Sequence, residues 1–124
     1  MGSYSLKLET WKNRIEQACK EAGTYEPQFD YIIETLAGIL ENRDRAQGQY
    51  EAMKCQPIVQ HTNKSGAVNL VKNPALVVIN EMNAQALQFW RELGLTPKGF
   101  QAMQKNGFKK KETTFEDLLT KVGL

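Results

Sequence analysis

Side chains able to do covalent or acid–base chemistry are few in this chain of 124 residues. Nucleophilic catalysis needs a hydroxyl or thiol beside a base, and the only imidazole, His61, falls in a polar turn region. Two carboxylate pairs have helical spacing, Glu41 with Asp44 and Glu9 with Glu16, but solvated helix faces explain such pairs better than acid–base or metal sites do. We therefore expect no catalytic residue, no metal site, no cofactor and no enzymatic activity.

Lysine is the residue type whose clustering indicates a function. The net charge is only +2. Five lysines nevertheless fall within fourteen residues that contain no Asp or Glu: Lys98, Lys105, Lys109, Lys110 and Lys111. Such a cluster attracts phosphate even when the whole chain is nearly neutral, and Phe100 and Phe108 between the lysines either stack on bases or anchor the segment. Lys64 and Lys72 complete the DNA-binding candidates. A solvated linker and a contact with an acidic protein surface stay open as alternatives.

Composition limits the chain to one small globular domain. Hydrophobic residues make up 41% and charged residues 24%, which is ordinary globular usage. No apolar run is long enough to span a membrane, so we expect no membrane partner. Cys19 and Cys55 lie far apart without CxxC spacing, and they fit reduced thiols in a cytosolic protein.

Four helices must position these side chains, and the second has the strongest pattern. The first runs from about Ser5 to Ala22 and ends at Gly23, which permits a left-handed C-cap. The second opens at Pro27 and would be about 40 Å long if it continued for roughly 27 residues. Its apolar face advances in steps of three and four: Phe29, Ile32, Leu36, Ile39, Arg43, Ala46, Tyr50 and Met53.

A helix of this length in so small a chain predicts packing against a long partner, either in the same chain or in another subunit. Arg43 lies on the apolar face itself, where its side chain either reaches past the edge of the core or makes a register-setting or inter-subunit contact. The oligomer-interface candidates are Phe29, Ile32, Leu36, Ile39, Arg43 and Tyr50.

The pattern changes after Pro57, which we expect to end the second helix. Ile58-Val59 and residues 68–71 are short β-prone pieces. They flank the turn-like residues 63–66, so they predict a small β-hairpin or an extended connector.

Two further helices are marked by their ends. Asn73-Pro74 combines an N-cap side chain with proline at the first helical position, and Gly94 ends the third helix. Thr96-Pro97 repeats the start for a fourth helix that reaches about Lys105.

Asn106-Gly107 breaks the fourth helix and sets the expected domain boundary. We expect residues 1–106 to form a helical oligomerisation and DNA-binding domain. Residues 107–124 are then a basic linker and a short amphipathic tail, which opens with a capping box formed by Thr113 and Glu116. The expected fold class is mainly α, a helical domain with a long central helical hairpin, a short β-hairpin or extended connector, and a C-terminal tail.

The two helix starts and the distance between them resemble the small terminase subunits of tailed phages and prophages. Val-Lys-Asn-Pro-Ala-Leu begins at Val71, and about nineteen residues later Glu-Leu-Gly-Leu-Thr-Pro ends at Pro97. A long upstream helix that contains Tyr31, Leu36 and Leu40 also agrees with the family's architecture. The resemblance covers roughly residues 27–105. Where the family usually has an arginine, three residues after Pro97, this chain has Phe100. The matching motif positions are Asn73, Pro74, Leu76, Leu87, Leu93, Gly94, Leu95, Thr96 and Pro97.

The resemblance implies a role in genome packaging without catalytic activity. Members form ring-shaped homo-oligomers, bind viral double-stranded DNA and regulate the large ATPase–nuclease subunit, here in the cytoplasm of the bacterial host. The residues show no clear helix-turn-helix signature, so sequence reading in the major groove is not expected. Two other functions stay open: a helical protein–protein interaction module that never touches DNA, and a small dimeric DNA-binding regulator.

Overall fold

The computed structural model of the protein describes residues 2–107, and over this range the fold is mainly α, as expected. A short 3-10 turn at Pro27–Phe29 leads into the second helix. The helices and strands, in chain order, are α1 (Gly2–Ala22), α2 (Asp30–Ala52), β1 (Ile58–Thr62), β2 (Val68–Lys72), α3 (Pro74–Glu92) and α4 (Pro97–Lys105).

Helix α2 is the central element, because α1 and α3 both pack along it. The predicted helical hairpin is therefore present as α2 and α3, joined by the two strands. The long helix finds its partners in its own chain, which is one of the two possibilities that its length leaves open. The buried core comprises Ile15, Cys19, Ile33, Leu36, Ala37, Ile39, Leu40, Ala86 and Leu93.

Two of the oligomer-interface candidates belong to this core. Leu36 is 0% exposed and Ile39 is 9% exposed within a single chain, so both side chains pack against their own chain. The predicted face also omits Ile33 and Leu40, which are buried. The buried part of α2 is wider than one stripe because two helices pack on it rather than one.

The remaining apolar candidates keep part of their surface. Phe29 and Ile32 are half-buried and pack against the core. Tyr50 is half-buried near the end of α2, and Met53 just beyond it is exposed.

The first helix ends as predicted, but the second ends earlier than predicted. Gly23 has a φ of 77° and begins a turn in which the Thr24 amide donates to the Cys19 carbonyl at 2.9 Å. Helix α2 stops at Ala52, not at Pro57. Lys54 and Cys55 follow with φ of 61° and 54°, a left-handed conformation that terminates helices without needing proline.

The predicted β-hairpin is confirmed. Strands β1 and β2 pair antiparallel, with Ile58 opposite Lys72 and Thr62 opposite Val68. The side-chain oxygen of Asn63 accepts from the amides of Ser65 and Ala67, both at 3.0 Å, and Gly66 has a φ of 87°. Asparagine at the first position and left-handed glycine at the fourth are typical of a hairpin turn followed by a bulge.

The hairpin projects from the helices, and its residue contacts are chiefly internal. His61 lies on strand β1 and is exposed, which corrects its predicted place in a turn. Within residues 2–107, no helix is long and apolar enough to cross a membrane. The predicted capping box and amphipathic tail lie outside the described residues, and the boundary at 106 stays a prediction.

Candidate nucleic-acid and assembly surfaces

Asn73 fixes the junction between the hairpin and α3. Its side-chain oxygen accepts from the Ala75 amide at 3.0 Å, and its side-chain nitrogen donates to the Gln56 carbonyl at 2.9 Å. Its own amide donates to the Pro57 carbonyl at 2.8 Å. The sequence predicts only the cap. The structure adds two bonds that close the base of the hairpin, and Asn73 is fully buried as a result.

A second junction fixes α4 against α3. The Thr96 hydroxyl accepts from the Gly99 amide at 3.0 Å and caps α4, as predicted. Gly94 has a φ of 71°, and a Cβ atom there would contact Met103 and Thr24. A Cβ on Gly99 would overlap the carbonyl oxygen of Arg91. Small residues are therefore required where α4 turns back over the end of α3.

Several of the motif residues that carry the resemblance thus have structural roles. Leu93 is fully buried in the core, and the half-buried Leu95 packs against that core. Phe100, at the position where the family usually has arginine, is half-buried. It lines an apolar depression with Ala22, Leu95 and Pro97. This position makes an apolar packing contact, so no phosphate contact is assigned to it.

Helix α4 presents a basic surface. Lys98, Gln101 and Lys105 follow one another at i, i+3 and i+7, which places them on one helix face, and all three are exposed. They line an open groove of about 680 Å³ together with Ala102 and Gln104. No carboxylate occurs between Leu93 and Gly107. Lysine and glutamine side chains on a carboxylate-free face are suited to contacts with a phosphate backbone.

The predicted lysines do not form one site in the described chain. Lys64 lies in the turn of the hairpin and Lys72 at its base, whereas Lys98 and Lys105 lie beyond the other end of α3. That helix has 19 residues and separates the two groups by about 28 Å at 1.5 Å per residue. Lys109, Lys110, Lys111 and Phe108 lie outside the described residues.

Arg43 makes contacts within its own chain. Its guanidinium lies 5.5 Å from the centre of the Trp11 ring, 3.2 Å from the Asp44 carboxylate and 3.4 Å from the side-chain oxygen of Asn83. The Trp11 indole donates to the other Asp44 oxygen at 2.8 Å. Arg43 therefore links α1, α2 and α3 within one chain.

Sequence patterning misses this network, because its members lie on three helices and share no local spacing. The charge of Arg43 on an apolar face was the one signal available. A second guanidinium, that of Arg14, also lies over the Trp11 ring at 5.3 Å. Cation–π contacts of this kind favour a fixed orientation of the indole.

The carboxylate pairs seen in the sequence act separately. Glu41 is buried and accepts from Arg45 at 2.7 Å, while Asp44 serves Trp11 and Arg43. Glu9 pairs with Lys12 at 3.8 Å and Glu16 with Lys20 at 3.7 Å. Glu41 and Asp44 thus have different partners, whereas Glu9 and Glu16 each pair with a lysine along α1 and line one groove there.

One apolar surface was not among the candidates. Ile58, Val68 and Leu70 lie on the same face of the hairpin, because their register places them at alternating positions. Their exposed fractions are 51%, 58% and 73%. The sequence did contain a signal for this surface, because the predicted hairpin has apolar residues on both of its faces. Helices packed on one face of a two-stranded hairpin leave the other face exposed.

These features define a small α-helical domain with a projecting β-hairpin and a basic terminal helix. The family model of the phage terminase small subunit matches residues 8–110, and the chain belongs to that family. The match begins inside α1, so it extends the resemblance to a helix that the motif comparison left out. Comparisons with curated proteins and with solved structures return no match.

Proposed function

We propose that this chain is a small terminase subunit that binds double-stranded viral DNA, assembles into a homo-oligomeric ring and regulates the large terminase subunit. In this role it performs no chemistry of its own, and the ATPase and nuclease activities belong to the large subunit. Its place of action is the cytoplasm of the bacterial host, where packaging takes place. Membership of the terminase small-subunit family supports the packaging role.

The observation that carries DNA binding is the face of α4. Lys98 and Lys105 lie on one side of a helix that packs against α3, and no carboxylate of that segment opposes them. A few lysines provide weak, sequence-independent attraction to duplex DNA. Assembly of many copies would multiply this attraction, because neighbouring sites then engage one duplex together.

Duplex binding measured across a range of salt concentrations tests this proposal. Each phosphate contact adds about 0.9 to the magnitude of the log–log salt slope. A Lys98→Gln/Lys105→Gln variant should bind more weakly and with a flatter slope than wild type. Lys7→Gln, at an exposed position of α1 outside that helix's acidic groove, is the control. An unchanged slope in the α4 variant would contradict the assignment and direct attention to Lys64, Lys72 and Lys109–Lys111.

Regulation of the large subunit is tested by its ATPase rate with and without this protein. We expect a change in that rate when the full-length chain is added. A chain ending at residue 112 should retain DNA binding and lose the effect on the ATPase, since a short amphipathic segment such as the predicted tail from Thr113 onward suits docking in a groove of a partner protein. An equal effect from both chains would assign the docking surface to the helical domain.

A further inference from the structure

The hairpin has an apolar face with no partner in its own chain. Ile58, Val68 and Leu70 are each more than half exposed, and the hairpin's contacts are chiefly between its own strands. A two-stranded hairpin is marginally stable in water without further packing. Exposed apolar side chains that share one face, with polar residues around them, are typical of interaction surfaces.

The charge of the hairpin indicates the chemistry of its partner. Between Ala52 and Asn80 the sequence contains Lys54, Lys64 and Lys72 but no Asp or Glu. The surface that covers the apolar face should therefore combine apolar atoms with carboxylates.

The same chain offers a surface of this composition between α1 and α2. A groove of about 360 Å³ there has Ile33 at its base. Tyr31 is 83% exposed, and its position three residues before Glu34 places the two side chains on the same side of α2. No three metal-ligating side chains of residues 2–107 come close enough to hold a metal ion, so these carboxylates do not form a cation site. The charged side chains that line the groove are Glu9, Lys12, Glu16, Asp30 and Glu34.

A hairpin cannot reach the Asp30–Glu34 end of the groove in its own chain. From Glu34 to the end of α2 at Ala52 the helix rises about 27 Å. The strands of the hairpin have five residues each and extend only about 17 Å. The bonds from Asn73 to Gln56 and Pro57 further hold the base of the hairpin at the far end of α2.

We propose that the face of Ile58, Val68 and Leu70 docks on a second copy of this chain, against the acidic α1–α2 groove and the ring of Tyr31. The contact joins two different surfaces, so each copy donates one hairpin and receives another. Repeated contacts of this type produce a closed ring or an open filament. The inference rests on the proposed assembly of the small subunit and names the surfaces that form it.

Two variants of the full chain separate the two sides of the contact. Leu70→Asp disables the hairpin and leaves the groove intact. Tyr31→Lys/Glu34→Lys disables the groove and leaves the hairpin intact. All three side chains are exposed, so we expect both variants to keep the melting temperature that wild type has when it is diluted to a monomer. The controls are Leu87→Asp for the hairpin variant and Glu81→Lys for the charge reversal at Glu34, both at exposed positions of α3.

Light scattering of each variant alone and of their mixture is the test. We expect each variant to be a monomer at a concentration where wild type and both controls are assembled. The mixture retains one intact contact, between the groove of the Leu70→Asp chain and the hairpin of the other. It should therefore form a one-to-one heterodimer and nothing larger.

Three results would overturn the inference. A Leu70→Asp chain of wild-type mass would show that the hairpin makes no contact between copies, and the ring would then use another surface. A mixture that stays monomeric would exclude pairing of hairpin with groove. A Leu70→Asp chain that keeps its mass but binds duplex DNA at least tenfold more weakly would assign the hairpin to nucleic acid.

A different result would overturn the ring assembly in the proposed function. A wild-type chain that is monomeric at all concentrations would overturn ring assembly together with this contact. The salt slope of the Lys98→Gln/Lys105→Gln variant still tests DNA binding in that case, because α4 lies at the opposite end of α3 from the hairpin.

Discussion

The helical core and the β-hairpin bury their apolar side chains to very different extents. Leu36, Leu40 and Leu93 in the core are 0% exposed, whereas Leu70 in the hairpin is 73% exposed. Three helices cover one another's apolar stripes, but a two-stranded ribbon has two faces and no second layer of its own. The difference shows that the helices cover their apolar side chains within one chain, while the hairpin leaves apolar surface uncovered.

The largest effect that tests this contrast is expected at Leu36. Leu36→Ala removes a fully buried side chain and should lower the free energy of unfolding by about 2–5 kcal/mol. Leu70→Ala in the hairpin should change it by less than about 0.5 kcal/mol in the monomer, as surface substitutions usually do. Chemical denaturation of dilute protein measures both. Equal losses at the two positions would show that the hairpin is packed as tightly as the core.

A smaller loss is expected where α4 meets α3. Gly99→Ala forces a methyl group onto the Arg91 carbonyl, and overpacking of this kind costs about 1–3 kcal/mol. Gly48→Ala on α2 is the control, because nothing lies within 4 Å of a Cβ atom there. That control should be neutral or stabilising, since alanine favours helix. A Gly99→Ala chain as stable as wild type would mean that α4 moves freely on α3.

Asn73 joins the two regions being compared. Asn73→Ala removes the helix cap and leaves the Gln56 carbonyl without its donor, so we expect a loss of about 1–2 kcal/mol. Asn73→Asp keeps the capping oxygen but not the donor, and it should restore part of that loss. Hydrogen exchange should show faster opening of the hairpin amides in the alanine variant than in the aspartate variant. Identical exchange rates in the two variants would show that opening of the hairpin does not depend on the cap.

The smallest effect concerns Tyr25, far from the hairpin. Its hydroxyl donates to the Asp30 carboxylate at 3.0 Å, and this hydrogen bond raises the pKa of Tyr25 to about 12. A raised pKa in the folded state contributes stability below the unfolded pKa of about 10. That contribution is lost as pH rises through about 12. Absorbance titration of tyrosinate should show Tyr25 ionising late, and Asp30→Asn should shift its ionisation to lower pH.

The sequence by itself determined the local features of this fold. Helix ends depend on capping hydrogen bonds that span only a few residues. The ends at Asn73-Pro74, Gly94 and Thr96-Pro97 were therefore predicted to within a residue or two. The hairpin was predictable for the same reason, because the Asn63–Gly66 turn is made by its own side chains and dihedral angles.

Tertiary structure alone decided how the surfaces are used. One apolar stripe on α2 gave no sign that two helices pack on it, so Leu36 and Ile39 were assigned to a subunit contact although they lie in the core. The lysines look like one set in the sequence, but α3 places Lys64 and Lys72 far from Lys98 and Lys105. The contacts of Arg43 with Trp11 and Asn83 join residues 32 and 40 positions apart in the chain. Such contacts depend on which helix faces pack together, and helical spacing within one segment contains no information about that choice.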